Sequence, residues 1–185
     1  DQTYLGDRND YVLLVEERKE YSANSIYDID ALWWDALLEL NRYYQQKENV
    51  YIYHAHLGYM IGMEITEKQY RSRRLQQEEQ AKIYFIVWNN TYLDNYEIQK
   101  YHELWHNAMY IEDHPFMREW YCFNVIGDYI VEFIYPDICS QYFQIFFDSV
   151  QNINHLNREP FANVFHMRTP CKLTIRNDPA HAKSM

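Results

Sequence analysis

Residues 101–114, YHELWHNAMYIEDH, hold two histidines four positions apart, with a glutamate directly after the first. On an α-helix, positions i and i+4 lie on one face, so His102 and His106 can present two imidazole nitrogens to one metal ion. Glu103 projects beside them, where a carboxylate can polarise a zinc-bound water as general base. A catalytic zinc needs a third protein ligand and keeps one position open. His114, Glu119 and Glu132 follow in the chain. Glu119, on the segment after the turn marked by Pro115, is the preferred third ligand.

This H-E-x-x-H spelling resembles the helix of the zincin metallopeptidases. The resemblance covers five residues. It implies zinc as cofactor, held by His102, His106 and Glu119, with Glu103 as catalytic base. Gln99 and Lys100 stand where such helices usually carry small or apolar residues, and Asn107-Ala108 lacks the glycine turn of the metzincins. The same stretch also has a structural use. Tyr101, Trp105 and Ala108 make a stripe for burial, while His102, Glu103 and His106 flank a polar face where Glu and His three apart pair without metal. Glu103-x-x-His106 also matches one half of a ferritin-like di-iron site, but the chain has no second Glu-x-x-His.

Other chemistry-bearing residues are sparser in meaning. His54 and His56 share a face if residues 50–57 form a strand. Arg71, Arg73 and Arg74 before Glu78 and Glu79 read as a solvated helix face. Four glycines leave no room for a phosphate-cradling loop, and no serine or cysteine nucleophile can be argued from spacing.

The elements that must position these residues are expected to be mainly helical. All five prolines lie at or beyond Pro115, so long elements are expected before it. The spacing predicts helices over about 28–47, capped by Asp28 or Asp30 with Trp33, Leu37, Leu40 and Tyr44 as its stripe, and over 66–80 behind the Thr66–Gln69 capping box. Further helices are predicted over 93–112, over 115–135 from Pro115, and from Pro136-Asp137 to about Val150. At most three short strands are expected, near 11–17, 50–57 and 82–88, the last two being readable as helix as well. Residues 1–150 form one mainly helical domain in this reading. Residues 151–185 form a long extended tail.

That tail is basic, with Arg158, Arg168, Lys172, Arg176 and Lys183 against Glu159 and Asp178. The chain as a whole carries a formal charge of −10, which argues against nucleic acid and anionic membrane surfaces as partners. No run of 18 apolar residues predicts a transmembrane helix. Nineteen tyrosines and five tryptophans against four glycines suit half-buried interface surface. Three scattered cysteines make no disulfide framework. They and the opening at Asp1 suit an organelle such as the mitochondrion, with secretion as the alternative because Asn89-Asn90-Thr91 is a glycosylation sequon.

These features together predict a non-catalytic accessory or scaffold subunit of a multi-protein assembly, without a cofactor. Arg158, Phe161, Phe165, Arg168, Lys172 and Arg176 of the tail are the expected partner-binding residues. The alternative is a small zinc-dependent metallopeptidase.

Overall fold

The computed structural model describes residues 18–45, 47–57, 82–104, 107–112 and 121–184. Seven strands join in one mixed sheet: β1 (Arg18–Ala23), β2 (Val50–His54), β3 (Ile83–Val87), β4 (Asn107–Tyr110), β5 (Tyr121–Ile126), β6 (Tyr129–Ile134) and β7 (Cys171–Asn177). Their spatial order is β1-β7-β6-β5-β2-β3-β4. Pairing is antiparallel from β1 across to β2 and parallel from β2 through β3 to β4.

The expectation of a mainly helical chain with an extended tail is thereby corrected: strand makes up 30 % of the described residues. The helix expected over 115–135 is replaced, from residue 121 onward, by the β5–β6 hairpin. Its aromatic and β-branched runs flank Gly127-Asp128, a two-residue turn closed by the Ile126–Tyr129 pair. Gly127 has φ +55°, the left-handed value that Gly supplies at the first position of such turns. A proline at 115 favours a helix start but says nothing about residues a turn later, where β-propensity decides. The tail fails as a prediction for a similar reason. Cys171, Leu173 and Ile175 alternate with Lys172, Thr174 and Arg176, and the buried three make β7 an interior strand between β1 and β6.

Among the described residues five α-helices accompany the sheet: α1 (Ile26–Tyr43), α2 (Tyr92–Leu104), α3 (Asp137–Ser149), α4 (Glu159–His166) and α5 (Pro179–Ala182). Ser25, rather than Asp28 or Asp30, caps α1, its hydroxyl accepting from the Asp28 amide at 3.1 Å. Trp33, Leu37 and Leu40 are buried as the stripe requires. α2 stops at Leu104, so residues 107–112, expected as helix, contribute β4 instead. The sequences predicted as helix over 66–80 and as strand over 11–17 lie outside the described residues.

The main core lies on one sheet face, beneath α1, α3 and α4. Phe143 and Phe147 of α3 meet Phe161 and Phe165 of α4, with Phe143–Phe161 and Phe143–Phe165 centroids at 5.1 and 5.3 Å. Burying each ring contributes about 1.5–3 kcal/mol, enough to hold α4 against α3. A smaller cluster around Tyr53, Ile86, Phe123 and Ile130 occupies the other face.

Candidate functional site

The parallel strands β2 and β3 end side by side, and a buried polar cluster forms just beyond their C-terminal ends. His56 Nδ1 lies 2.9 Å from Asp94 Oδ2, and His56 Nε2 lies 3.2 Å from the amide nitrogen of Asn89. An amide N–H can only donate, so Nε2 accepts and Nδ1–H donates to the carboxylate. Asp94 also accepts from the backbone of Leu57 and Thr91 and from the Thr91 hydroxyl, at 3.1, 3.0 and 2.7 Å. The Asp94 amide donates back to Thr91 Oγ1 at 3.3 Å, a capping box that starts α2. Phe147 of α3 covers the imidazole, ring on ring at 4.0 Å. Both sequon side chains are thus spent inside the fold: Asn89 on His56, Thr91 on Asp94.

A second buried pair sits one turn of strand away. His54 and Cys122 face each other across β2 and β5, with Nε2 and Sγ 2.8 Å apart. Burial, reinforced by the neighbouring His56, pushes the His54 imidazole down to about 3. Burial, then the Asp30 carboxylate, pushes the Cys122 thiol well above its ordinary value. The pair is therefore a neutral thiol donating to a neutral imidazole, rather than the thiolate that attacks carbonyl carbon. Cys139 and Cys171 are buried too, and their thiols are raised to about 11 and 12 by burial.

The zinc-ligand candidates are not brought together within the described residues. His102 is exposed on α2. The side chain of Glu103, and His106, His114 and Glu119, lie outside those residues. Glu132 accepts from the Tyr121 hydroxyl and from Arg176 Nη2, the latter at 3.2 Å, so its carboxylate is already committed. Among the described residues no group of three or more His, Cys, Asp or Glu could hold a metal ion.

The partner-binding candidates of the C-terminal segment divide. Phe161 and Phe165, expected as partner-binding residues, are buried in this chain's own core. Arg176 reaches Glu132 and, at 3.6 Å, Asp178. Arg158, Arg168 and Lys172 are exposed.

What remains outward-facing and apolar lies on α3. Its inner side buries Cys139, Phe143 and Phe147. Its outer side carries Ile138, Tyr142 and Ile145, 44 %, 49 % and 67 % exposed, at spacings of four and three. Ile134, at the end of β6, is also exposed. A helix that packs on one side alone should be polar on the other; the outer side of α3 places Ile138, Tyr142 and Ile145 among the polar Gln141, Asp148 and Ser149. Tyr142 and Ile145 continue into a groove of about 480 Å³ between α3 and the segment 151–164. Phe146, Leu156, Pro160 and Val164 form its walls, and no Lys, Arg, Asp or Glu among the described residues lines it. Depletion of charge around aromatic and aliphatic side chains is the compositional mark of the centre of a protein interface. The sequence carried this signal, as Ile-x-x-x-Tyr-x-x-Ile on a helix whose other stripe was already accounted for.

No family model matches this chain, and no curated protein is significantly similar to it. No helix among the described residues is long and apolar enough to cross a membrane.

Proposed function

We propose that this chain is a non-catalytic accessory or scaffold subunit of a larger multi-protein assembly, and that it meets a partner protein through the outer face of α3. The supporting observation is the exposed stripe Ile138, Tyr142 and Ile145 running into an uncharged groove. Exposing these side chains to water costs free energy that a partner recovers, on the order of 25 cal/mol per Å² covered. The buried His56–Asp94 cluster contributes to this role by fixing Phe147, and with it the inner side of α3. The zinc-metallopeptidase alternative rests on the spelling of residues 102–106, and stoichiometric zinc in purified protein would carry it.

The test is a paired substitution, Tyr142→Ser with Ile145→Glu, in the native host. The wild-type chain should migrate on a native gel in a species larger than the monomer. The variant should keep its far-ultraviolet circular dichroism and migrate alone. A variant still found in the larger species ends the reading, as does a wild-type chain that migrates as monomer.

A further inference from the structure

The last turn of α3 has an anion where a helix favours a cation. Backbone carbonyls give a helix C-terminus a partial negative charge, so Lys or Arg stabilises it and Asp does not. α3 carries Asp148 in its last turn and has no basic residue there. Asp148 is exposed, and among the described residues no cation pairs with it. Its only partner there is Gln144, whose amide nitrogen donates to both carboxylate oxygens at 3.1 Å. The Phe146 and Asp148 carbonyls receive neutral donors, Ser149 Oγ at 2.8 Å and Gln151 Nε2 at 3.2 Å. The negative potential at this end is left uncompensated by the described part of the fold.

The apolar groove opens at that same end, where Ser149, Val150, Gln151 and Asn152 line it; His155 is the lining side chain there that can carry positive charge. A complement to this face needs an apolar ridge that finishes in positive charge. A second copy does not supply one. Pairing α3 with its own copy antiparallel sets Asp148 beside Asp137, and pairing it parallel sets Asp148 beside Asp148, anion on anion in both cases. The net charge of −10 on each chain adds to the repulsion. A helix does supply one, because Ile138, Tyr142 and Ile145 cover about 10 Å of helix length, the reach of one i, i+4, i+7 face in helix-in-groove recognition.

On the reading that this face binds protein, we propose that the α3 groove receives an amphipathic helix of a partner protein, apolar toward Ile138, Tyr142 and Ile145 and bearing Lys or Arg where it crosses the C-terminal end of α3.

Two synthetic helical peptides of identical Leu stripe, one ending in Lys residues and one in Glu, serve as probes in fluorescence anisotropy with the full chain. The Lys peptide should bind wild type about tenfold more tightly than the Glu peptide, the scale of a partly buried charge at a helix end. Asp148→Lys should abolish or invert that preference while leaving the circular dichroism unchanged. Ile145→Glu should weaken both peptides. Equal binding of the two peptides, no binding of the Lys peptide, or a preference that survives Asp148→Lys overturns the charged-helix proposal and leaves the protein-binding face standing. Peptide binding indifferent to Ile145→Glu removes the face itself. Sedimentation of the chain alone gives the remaining arm: a dimer dissociated by Ile145→Glu assigns the groove to a second copy and overturns the proposal.

Discussion

Cys122 and His54 stand directly opposite each other in the β5–β2 register, and their Sγ and Nε2 atoms are 2.8 Å apart in a site closed to solvent. The imidazole there titrates near 3, because burial disfavours its charged form. An unfolded chain protonates the same ring near its ordinary 6.5. Between those two values the unfolded state holds a proton that the folded state refuses, so stability falls as pH falls. His54 alone should remove about 1.4 kcal/mol per pH unit across that window. Urea unfolding at pH 6, 5 and 4 should show a slope that His54→Gln reduces by up to one proton. Imidazole NMR supplies a check that needs no variant: a His54 resonance that titrates near pH 6 would refute the buried neutral form.

Gly127 lies against the Tyr44 ring. A Cβ added there would sit 2.4 Å from Tyr44 Cζ, at a φ of +55° that L-residues rarely adopt. Gly127→Ala should therefore cost about 2–3 kcal/mol, combining left-handed strain with a steric clash. Tyr44→Phe removes the phenol oxygen that accepts from the Asp128 amide at 3.0 Å and should cost about 1 kcal/mol. Chemical denaturation measures both, and a neutral Gly127→Ala would contradict the turn geometry.

Asp94 is fully buried and accepts from His56, Leu57 and Thr91. Asp94→Ala should destabilise by about 3 kcal/mol or more, because several buried donors lose their acceptor and each costs about 1–3 kcal/mol. Thr91→Ser, which keeps the capping oxygen, should be far milder than Thr91→Val. Because Asn89 Nδ2 is bonded to His56, folded protein from a secretory host should carry no glycan on Asn89. Mass spectrometry of the folded fraction decides this.

Residues 159–177 supply α4 and the interior strand β7. A chain ending at residue 157 should lose cooperative unfolding as well as β-sheet circular dichroism. Retention of both would mean that β6 and β1 tolerate the loss of the strand that joins them.

The sequence shows some of this fold on its surface. Residues 50–57, by alternation, and 82–88, by residue type, could be read as strands though a helix stayed open for both, and α3 reads as a helix from Pro136-Asp137 onward. The hairpin and β7 were legible in principle, through Gly127-Asp128 and the alternation of Cys171, Leu173 and Ile175. Competing signals hid them: a helix start at Pro115 in one case, a basic composition in the other. The buried cluster was not legible at all. His56 meets a carboxylate 38 residues away, and His54 a thiol 68 residues away. Only strand order and register bring such groups together, and no local spacing encodes either.

Among the described residues β1 has one partner in the sheet, β7, and the two segments pair from Ala23–Cys171 to Arg18–Arg176. On a ribosome adding about 5–20 residues per second, β1 therefore emerges roughly 150 residues, or about 10–30 s, before the strand it must pair with exists. For about the last 40 residues of that interval β6 also presents an open edge, since its second neighbour is β7. The unpaired β1, bearing Tyr21, and the open edge of β6, bearing Ile130, Val131 and Phe133, must be kept from joining the strands of other nascent chains. Translation speed through residues 135–177, and the chaperones present during it, should set the yield of folded protein more than the final stability does.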